Sequence, residues 1–151
     1  MLEYFKKMFA YNAAVNAQML TWLEKAPDVD DRTRGIFAHL LAAEQVWLLR
    51  LRGEDTSGQA IWPDASLEDC GRLLEENREG YTRYLEDAPT DLGGTIRYQN
   101  SKGKTFETAA QDILSHVLVH SGYNRGQVTR LLRDAGAEPL NTDYMTYVRN
   151  A

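Results

Sequence analysis

The sequence predicts an all-α fold, a bundle of four long helices with a short β-hairpin before the fourth. Three observations carry this. Four segments repeat apolar residues at helical spacing. Two of the connections between them are long. One of those connections holds an Asn-Ser-Lys-Gly turn flanked by Ile96, Tyr98 and Phe106. The 151 residues suit a single domain, spanning 1–151, with a proper hydrophobic core.

Helix 1 is expected over about residues 2–25, where Phe5, Met8, Phe9, Asn12, Asn16, Met19, Leu20 and Leu23 form one stripe. A link of a few residues follows, so helices 1 and 2 should pack antiparallel. Helix 2 is expected over about 31–52, with Asp30 or Asp31 as cap, Gly53 as stop, and a stripe of Ile36, Phe37, Leu40, Leu41, Trp47, Leu48 and Leu51. The link 53–65 is rich in Gly, Ser and Asp and ends in Trp-Pro. Helix 3 starts near Ser66, where SLED narrowly misses the capping-box pattern by placing Asp at its fourth position, and runs to about 87. The hairpin falls within the link 88–105, around TIRYQNSKGKTF. Helix 4 is expected over about 106–135, ending at Gly136 with Pro139 just beyond. The tail NTDYMTYVRN reads as a final short helix or strap capped by Thr142. Two long links allow a bundle that is not simply up-down-up-down.

Hydrophobic residues make up 43% and charged residues 26%, the balance of an ordinary soluble globular domain. The net charge of -5 and the lack of a basic cluster argue against nucleic acid as a partner. Apolar runs are too short to span a bilayer, and the N-terminal MLEYFKKMFAYN reads as the first helix rather than a signal peptide. The single cysteine, Cys70, excludes an internal disulfide and fits a reducing, cytoplasmic compartment. Asp69 beside it would raise its thiol pKa, so Cys70 reads as packing rather than as a nucleophile.

The informative residues are polar ones on apolar faces. On helix 4, His116, His120, Asn124 and Gln127 lie within a sector of about 80°, beside Val117 and Val128. His39 sits at the edge of the helix 2 arc, and Asn12 and Asn16 sit in the middle of the helix 1 stripe. Glu44 falls between Leu40, Trp47 and Leu48, and Arg125 falls near the far edge of the helix 4 arc. Isolated buried charges are costly, so Glu44 and Arg125 are expected to pair with each other, as a structural ion pair, or with tyrosines such as Tyr11. A histidine at an apolar edge is ordinarily a hydrogen-bonded core residue. His116 and His120, however, are four residues apart and could present two imidazoles to one point, as helical metal ligands do. His39 is the remaining histidine, and bundles build metal sites from facing helices.

The run His120, Ser121, Gly122, Tyr123, Asn124, Arg125, Gly126, Gln127 resembles the DinB family of damage-inducible proteins, which shows a His, three residues, then His-Arg-Gly-Gln. YNAAVN at 11–16, AHLLAAEQVWLLRL at 38–51, YQNSKGKTF and EPLNTDYMTYVR extend the resemblance over nearly the whole chain, in the family's order. The resemblance implies an up-down-down-up four-helix bundle, usually a homodimer. It also implies a three-histidine site for Zn²⁺ or Ni²⁺ at one end, whose ligand positions match His39, His120 and Asn124. His116 then becomes a supporting residue. Some relatives are thiol S-transferases using low-molecular-weight thiols against small electrophiles, and metal-dependent hydrolysis is the other activity ascribed to the family. Asn124 departs from the family pattern, since an amide oxygen is a poorer ligand than imidazole for these metals. Ala14 replaces a family tryptophan in the first-helix motif.

Two functions remain open. In the first, a metal on His39, His120 and Asn124 serves a thiol transferase or hydrolase. Tyr123 and Gln127 would orient substrate, His116, Asn12 and Asn16 would support the site, and Glu44 would be a weaker candidate base because it is paired. In the second, the same positions form a metal-free polar cluster in a non-catalytic dimeric binding or stress-response bundle. A carboxylate di-metal bundle has little support, because no histidine has a Glu three residues before it.

Overall fold

The structure, a computed structural model, describes residues 1–26, 29–88, 92–138 and 140–150. It is mostly helical: α1 (Leu2–Lys25), α2 (Asp31–Leu51), α3 (Leu67–Asp87), a two-stranded antiparallel sheet of β1 (Thr95–Gln99) and β2 (Thr105–Ala109), then α4 (Ala110–Asp134) and a short α5 (Tyr144–Asn150). Among the described residues, no helix is long and apolar enough to cross a membrane.

Local chemistry sets the element ends. Asp30, not Asp31, caps α2, its side chain accepting from the Thr33 amide at 2.7 Å. At α3 the Asp in SLED completes a full capping box. Ser66 Oγ accepts from the Asp69 amide at 3.0 Å, and Asp69 Oδ2 accepts from the Ser66 amide at 2.9 Å. The shorter Asp side chain therefore suffices where Glu is usual. α4 begins at Ala110 rather than near 106, because residues 105–109 are taken up by pairing with β1, from Thr95 opposite Ala109 to Gln99 opposite Thr105. The hairpin turn is closed by Asn100, whose Oδ1 accepts from the amides of Lys102 and Lys104, each at 3.0 Å, while Gly103 supplies the left-handed φ of +75°. The cap of α5 is Asp143, bonded to the Thr146 amide at 3.0 Å, and not Thr142. The Thr142 carbonyl instead accepts from the Tyr11 hydroxyl at 2.6 Å, and the rings of Tyr144 and Tyr147 meet the Tyr11 ring edge-on, so the tail straps α1. The Pro139 stop signal lies outside the described residues.

Two apolar clusters fill the interior. One joins Phe5 and Phe9 of α1 to Leu48 and Leu51 of α2, Tyr81 and Leu85 of α3, and Ile113, Leu114 and Val117 of α4. The other joins Met19 and Leu23 of α1 to Phe37, Leu40 and Leu41 of α2, Cys70 and Leu74 of α3, and Val128 and Leu132 of α4. α1 packs mainly on α3, while α2 lies between α3 and α4. The expectation that α1 and α2 would be packed neighbours is therefore corrected. A short link forces a reversal of direction but not adjacency, and the long 52–66 link lets α3 come between them. Cys70 is fully buried, and burial, aided by the Asp69 charge, pushes its thiol up to about 11, so it serves as packing.

α3 approaches α2 closely at Gly80, whose carbonyl accepts from Arg52 Nη2 at 3.2 Å. A Cβ at Gly80 would collide with the buried Leu48 side chain and crowd Arg52. Gly80→Ala should thus lose more by overpacking, about 1–3 kcal/mol, than the roughly 1 kcal/mol it gains in helix propensity. Urea unfolding of the variant is expected to show a lower midpoint; a higher one would mean that α3 can shift away from Leu48 at little cost.

Candidate functional site

At mid-bundle, the buried Glu44 of α2 gathers polar groups from the other three long helices. Its Oε1 accepts from Asn12 Nδ2 at 2.7 Å, from Asn16 Nδ2 at 3.0 Å and from Ser121 Oγ at 2.6 Å. Asn77 Nδ2 approaches Oε2 at 3.5 Å and donates to the Leu41 carbonyl at 2.9 Å, and the Tyr81 hydroxyl donates to the Glu44 carbonyl at 2.7 Å. Burial pushes the Glu44 carboxyl upward, while Ser121, Asn12, the Arg125 charge and Asn16 pull it back.

The expected ion pair between Glu44 and Arg125 is not a direct one. Among the described residues, no Arg125 nitrogen lies within 4.0 Å of a Glu44 oxygen. Instead, Arg125 Nη1 donates to Asn12 Oδ1 at 2.5 Å and to Asn16 Oδ1 at 2.9 Å, and its guanidinium lies 5.7 Å from the Tyr11 ring centre. An amide has a donor end and an acceptor end, so each asparagine bridges carboxylate and guanidinium. This places Asn12 and Asn16 at the bundle centre, hydrogen-bonded to Glu44 and Arg125 rather than to the histidines.

The histidines form a second polar system on the α2–α4 face. His39 is buried, and its Nδ1–H donates to the Ile61 carbonyl at 2.8 Å. Its ring stacks on Trp62 at 3.7 Å and 5°, and meets the His120 ring edge-on at 5.1 Å. The hydrogen bond to Ile61 leaves the His39 Nε2 lone pair free. Asn124 is buried one turn beyond His120. Its Nδ2 donates to the His120 carbonyl at 2.9 Å and sits 3.2 Å from His120 Nε2. His116 is exposed, 5.8 Å from His120 between ring centres, and lies edge-on to Trp47 at 5.1 Å. Tyr123 is 69% exposed, and Gln127 is half-buried. The structure thus brings His39, His120 and Asn124 together, with His116 beside them. Among the described residues, no three His, Cys, Asp or Glu side chains are grouped so as to hold a metal ion.

Four participants were missed from sequence. Trp62 was visible only as part of a loop-ending Trp-Pro, and the Ile61 carbonyl carries no sequence signal at all. Asn77 is hidden in the polar run EENRE. Ser121 does carry a signal: at helical spacing it falls within the apolar arc of α4, beside Val117 and Val128.

Two outcomes follow for stability. Glu44→Leu leaves the asparagines and Ser121 without their acceptor and should cost about 3–5 kcal/mol in chemical unfolding. Glu44→Gln keeps an acceptor oxygen and should cost on the order of 1–2 kcal/mol, so equal losses would contradict the network. The second outcome concerns pH. Burial, then the neighbouring His39 and His116, lowers the His120 imidazole from 6.5 to about 4. The unfolded chain then binds this proton more readily than the folded one, so His120 subtracts stability as pH falls from 6.5 towards about 4 and has no such effect above that window. The melting temperature of the wild type relative to His120→Gln should fall through this range; a constant difference would mean that the ring is freely solvated.

The DinB family model matches residues 1–151. The chain is also similar to "Protein DinB" of Bacillus subtilis (strain 168), with 23% identity over 165 residues that cover 98% of this chain and 95% of that protein. With four long helices, a hairpin ahead of the last of them and a family match along its whole length, this chain belongs to the DinB family.

Proposed function

We propose that His39 and His120 are the core of a divalent-metal site for Zn²⁺ or Ni²⁺, weakened by Asn124, that serves a metal-dependent thiol transfer or hydrolysis. The observation that carries this reading is the bond from His39 Nδ1–H to the Ile61 carbonyl. Metal-ligating histidines are characteristically held in this way, with one nitrogen anchored on a carbonyl and the other free to ligate. His120 faces His39 from α4 and is uncharged at neutral pH, as a ligand must be. Asn124 fits less well, because its amide nitrogen is the end turned towards His120 and that nitrogen has no lone pair to give. A cation held at two imidazoles with open positions would lower the pKa of a bound water or low-molecular-weight thiol and so supply a nucleophile near neutral pH. The chain's own contribution is orientation: the Ile61 carbonyl sets the His39 tautomer, Trp62 stacks over its ring, and Tyr123 and Gln127 on α4 would orient substrate. The arrangement of the two apolar clusters supports an up-down-down-up course for the four long helices, and association as a homodimer accompanies this reading.

A second reading is favoured by one specific observation. Asn124 already satisfies the His120 carbonyl and sits against its ring, which is what a metal-free polar cluster in a non-catalytic binding bundle would need.

Asn124→His separates the two. The test measures Zn²⁺ and Ni²⁺ affinity for the wild type and the variant, with metal content after purification without chelator. A weakened metal site predicts a gain of roughly 10–100-fold in affinity. Turnover of bacillithiol, mycothiol or glutathione with a generic electrophile should then depend on added metal. No gain in the variant, together with substoichiometric metal in the wild type, would favour the polar-cluster reading.

A further inference from the structure

A cavity of about 280 Å³ opens between α1 and α3, apart from the histidines. It approaches the lower end of the ~300–1,000 Å³ typical of small-molecule sites and holds roughly nine waters' worth of volume at ~30 Å³ each. Its walls are apolar: Phe9 and Ala13 from α1, and Leu74, Tyr81 and Leu85 from α3. The Phe9 and Tyr81 rings stack at 4.4 Å and 26°. Glu44 and Asn77, 4% and 2% exposed, also line it, at the buried centre of the bundle.

The unused hydrogen-bonding capacity of these two residues is all of one kind. Glu44 Oε1 takes three donors, but Oε2 has only the 3.5 Å approach of Asn77 Nδ2. Asn77 Oδ1 is buried with no hydrogen-bond partner. Unmet acceptors in an apolar setting call for a donor. The nearby cations are already engaged. Arg125 is bonded to the two asparagine oxygens and does not line the cavity. At the rim, Lys6 is paired with Glu3 at 2.9 Å and Arg78 with Glu75, while Glu86 has no ion pair among the described residues. Of the charged residues that line the cavity, Glu44 and Glu86 are the ones without a direct ion pair among the described residues.

We propose that the α1–α3 cavity is a binding site for a small primary amine with an apolar or aromatic body, its ammonium group on Glu44 and its body against Phe9, Leu74 and Tyr81. The cavity shares no lining residue with the histidine cluster, so the proposal is tested separately from the metal reading.

Phenethylamine is a suitable probe, with 2-phenylethanol and 3-phenylpropanoate as neutral and anionic isosteres, titrated by calorimetry and by NMR of the Asn77 side-chain amide. Saturable binding of the amine at least about tenfold tighter than the alcohol, with none of the carboxylate, is expected. Ala13→Leu, which adds bulk to the cavity wall at a residue outside the hydrogen-bonded polar network, should abolish it, and Glu44→Gln should reduce the amine to the level of the alcohol. Added Zn²⁺ should change none of these results. Equal affinity for amine and alcohol, retention of binding in Ala13→Leu, or no saturable binding would each overturn the proposal. If Glu44→Gln does not fold, the amine-to-alcohol ratio and Ala13→Leu still decide.

Discussion

A single buried carboxylate organises this protein. Glu44 is 4% exposed, and a charge or an unpaired acid at such a position would be costly unless surrounded by donors. Those donors come from every other long helix: Asn12 and Asn16 from α1, Asn77 from α3, and Ser121 from α4, with Arg125 of α4 behind the asparagines and the Tyr81 hydroxyl of α3 on the Glu44 backbone carbonyl. Apolar packing alone tolerates rotation and sliding of helices, because contacts between methyl groups are non-directional. Hydrogen bonds of 2.6–3.0 Å to one oxygen do not. The network therefore fixes the register of four helices that the two apolar clusters only hold together.

One consequence is a division of labour along α4. His120 and Asn124 face the histidine edge, while Ser121 and Arg125, each one residue further on, face the bundle centre. A step of about 100° per residue is enough to place consecutive side chains in two different polar systems. The histidine site is thus positioned by its immediate neighbours in sequence, whose bonds to Glu44 and the asparagines set how α4 is rotated. The same centre borders the α1–α3 cavity, so Glu44 is both a structural anchor and part of that cavity's lining.

Much of the fold was legible because helix formation is largely local. The stripes of α1, α2 and α4, the Asp30 cap, the Ser66 start and the Asn100–Gly103 turn follow from periodicity and short-range hydrogen bonding. The errors fell where local signals compete. The short stretch Phe106, Glu107, Thr108, Ala109 suits a helix or a strand, and only pairing with β1 decides for the strand. Asp143 and Thr142 are both able to cap α5, and the Tyr11 hydroxyl claims the Thr142 carbonyl.

The sequence by itself marked several of the polar residues that lie against apolar neighbours. Asn12, Asn16, Glu44 and Arg125 were identifiable because helical periodicity places them among apolar neighbours, and His39, His120 and Asn124 because they fall at the edges of those faces. Only the tertiary structure decided who partners whom. Glu44 and Arg125 meet through two amides rather than directly, His39 is anchored by a loop carbonyl, and Asn77 joins the centre from an otherwise polar run. The physical reason is that burial is a property of one helix and its period, whereas hydrogen-bond partnership depends on the relative rotation and height of several helices, which no single segment encodes.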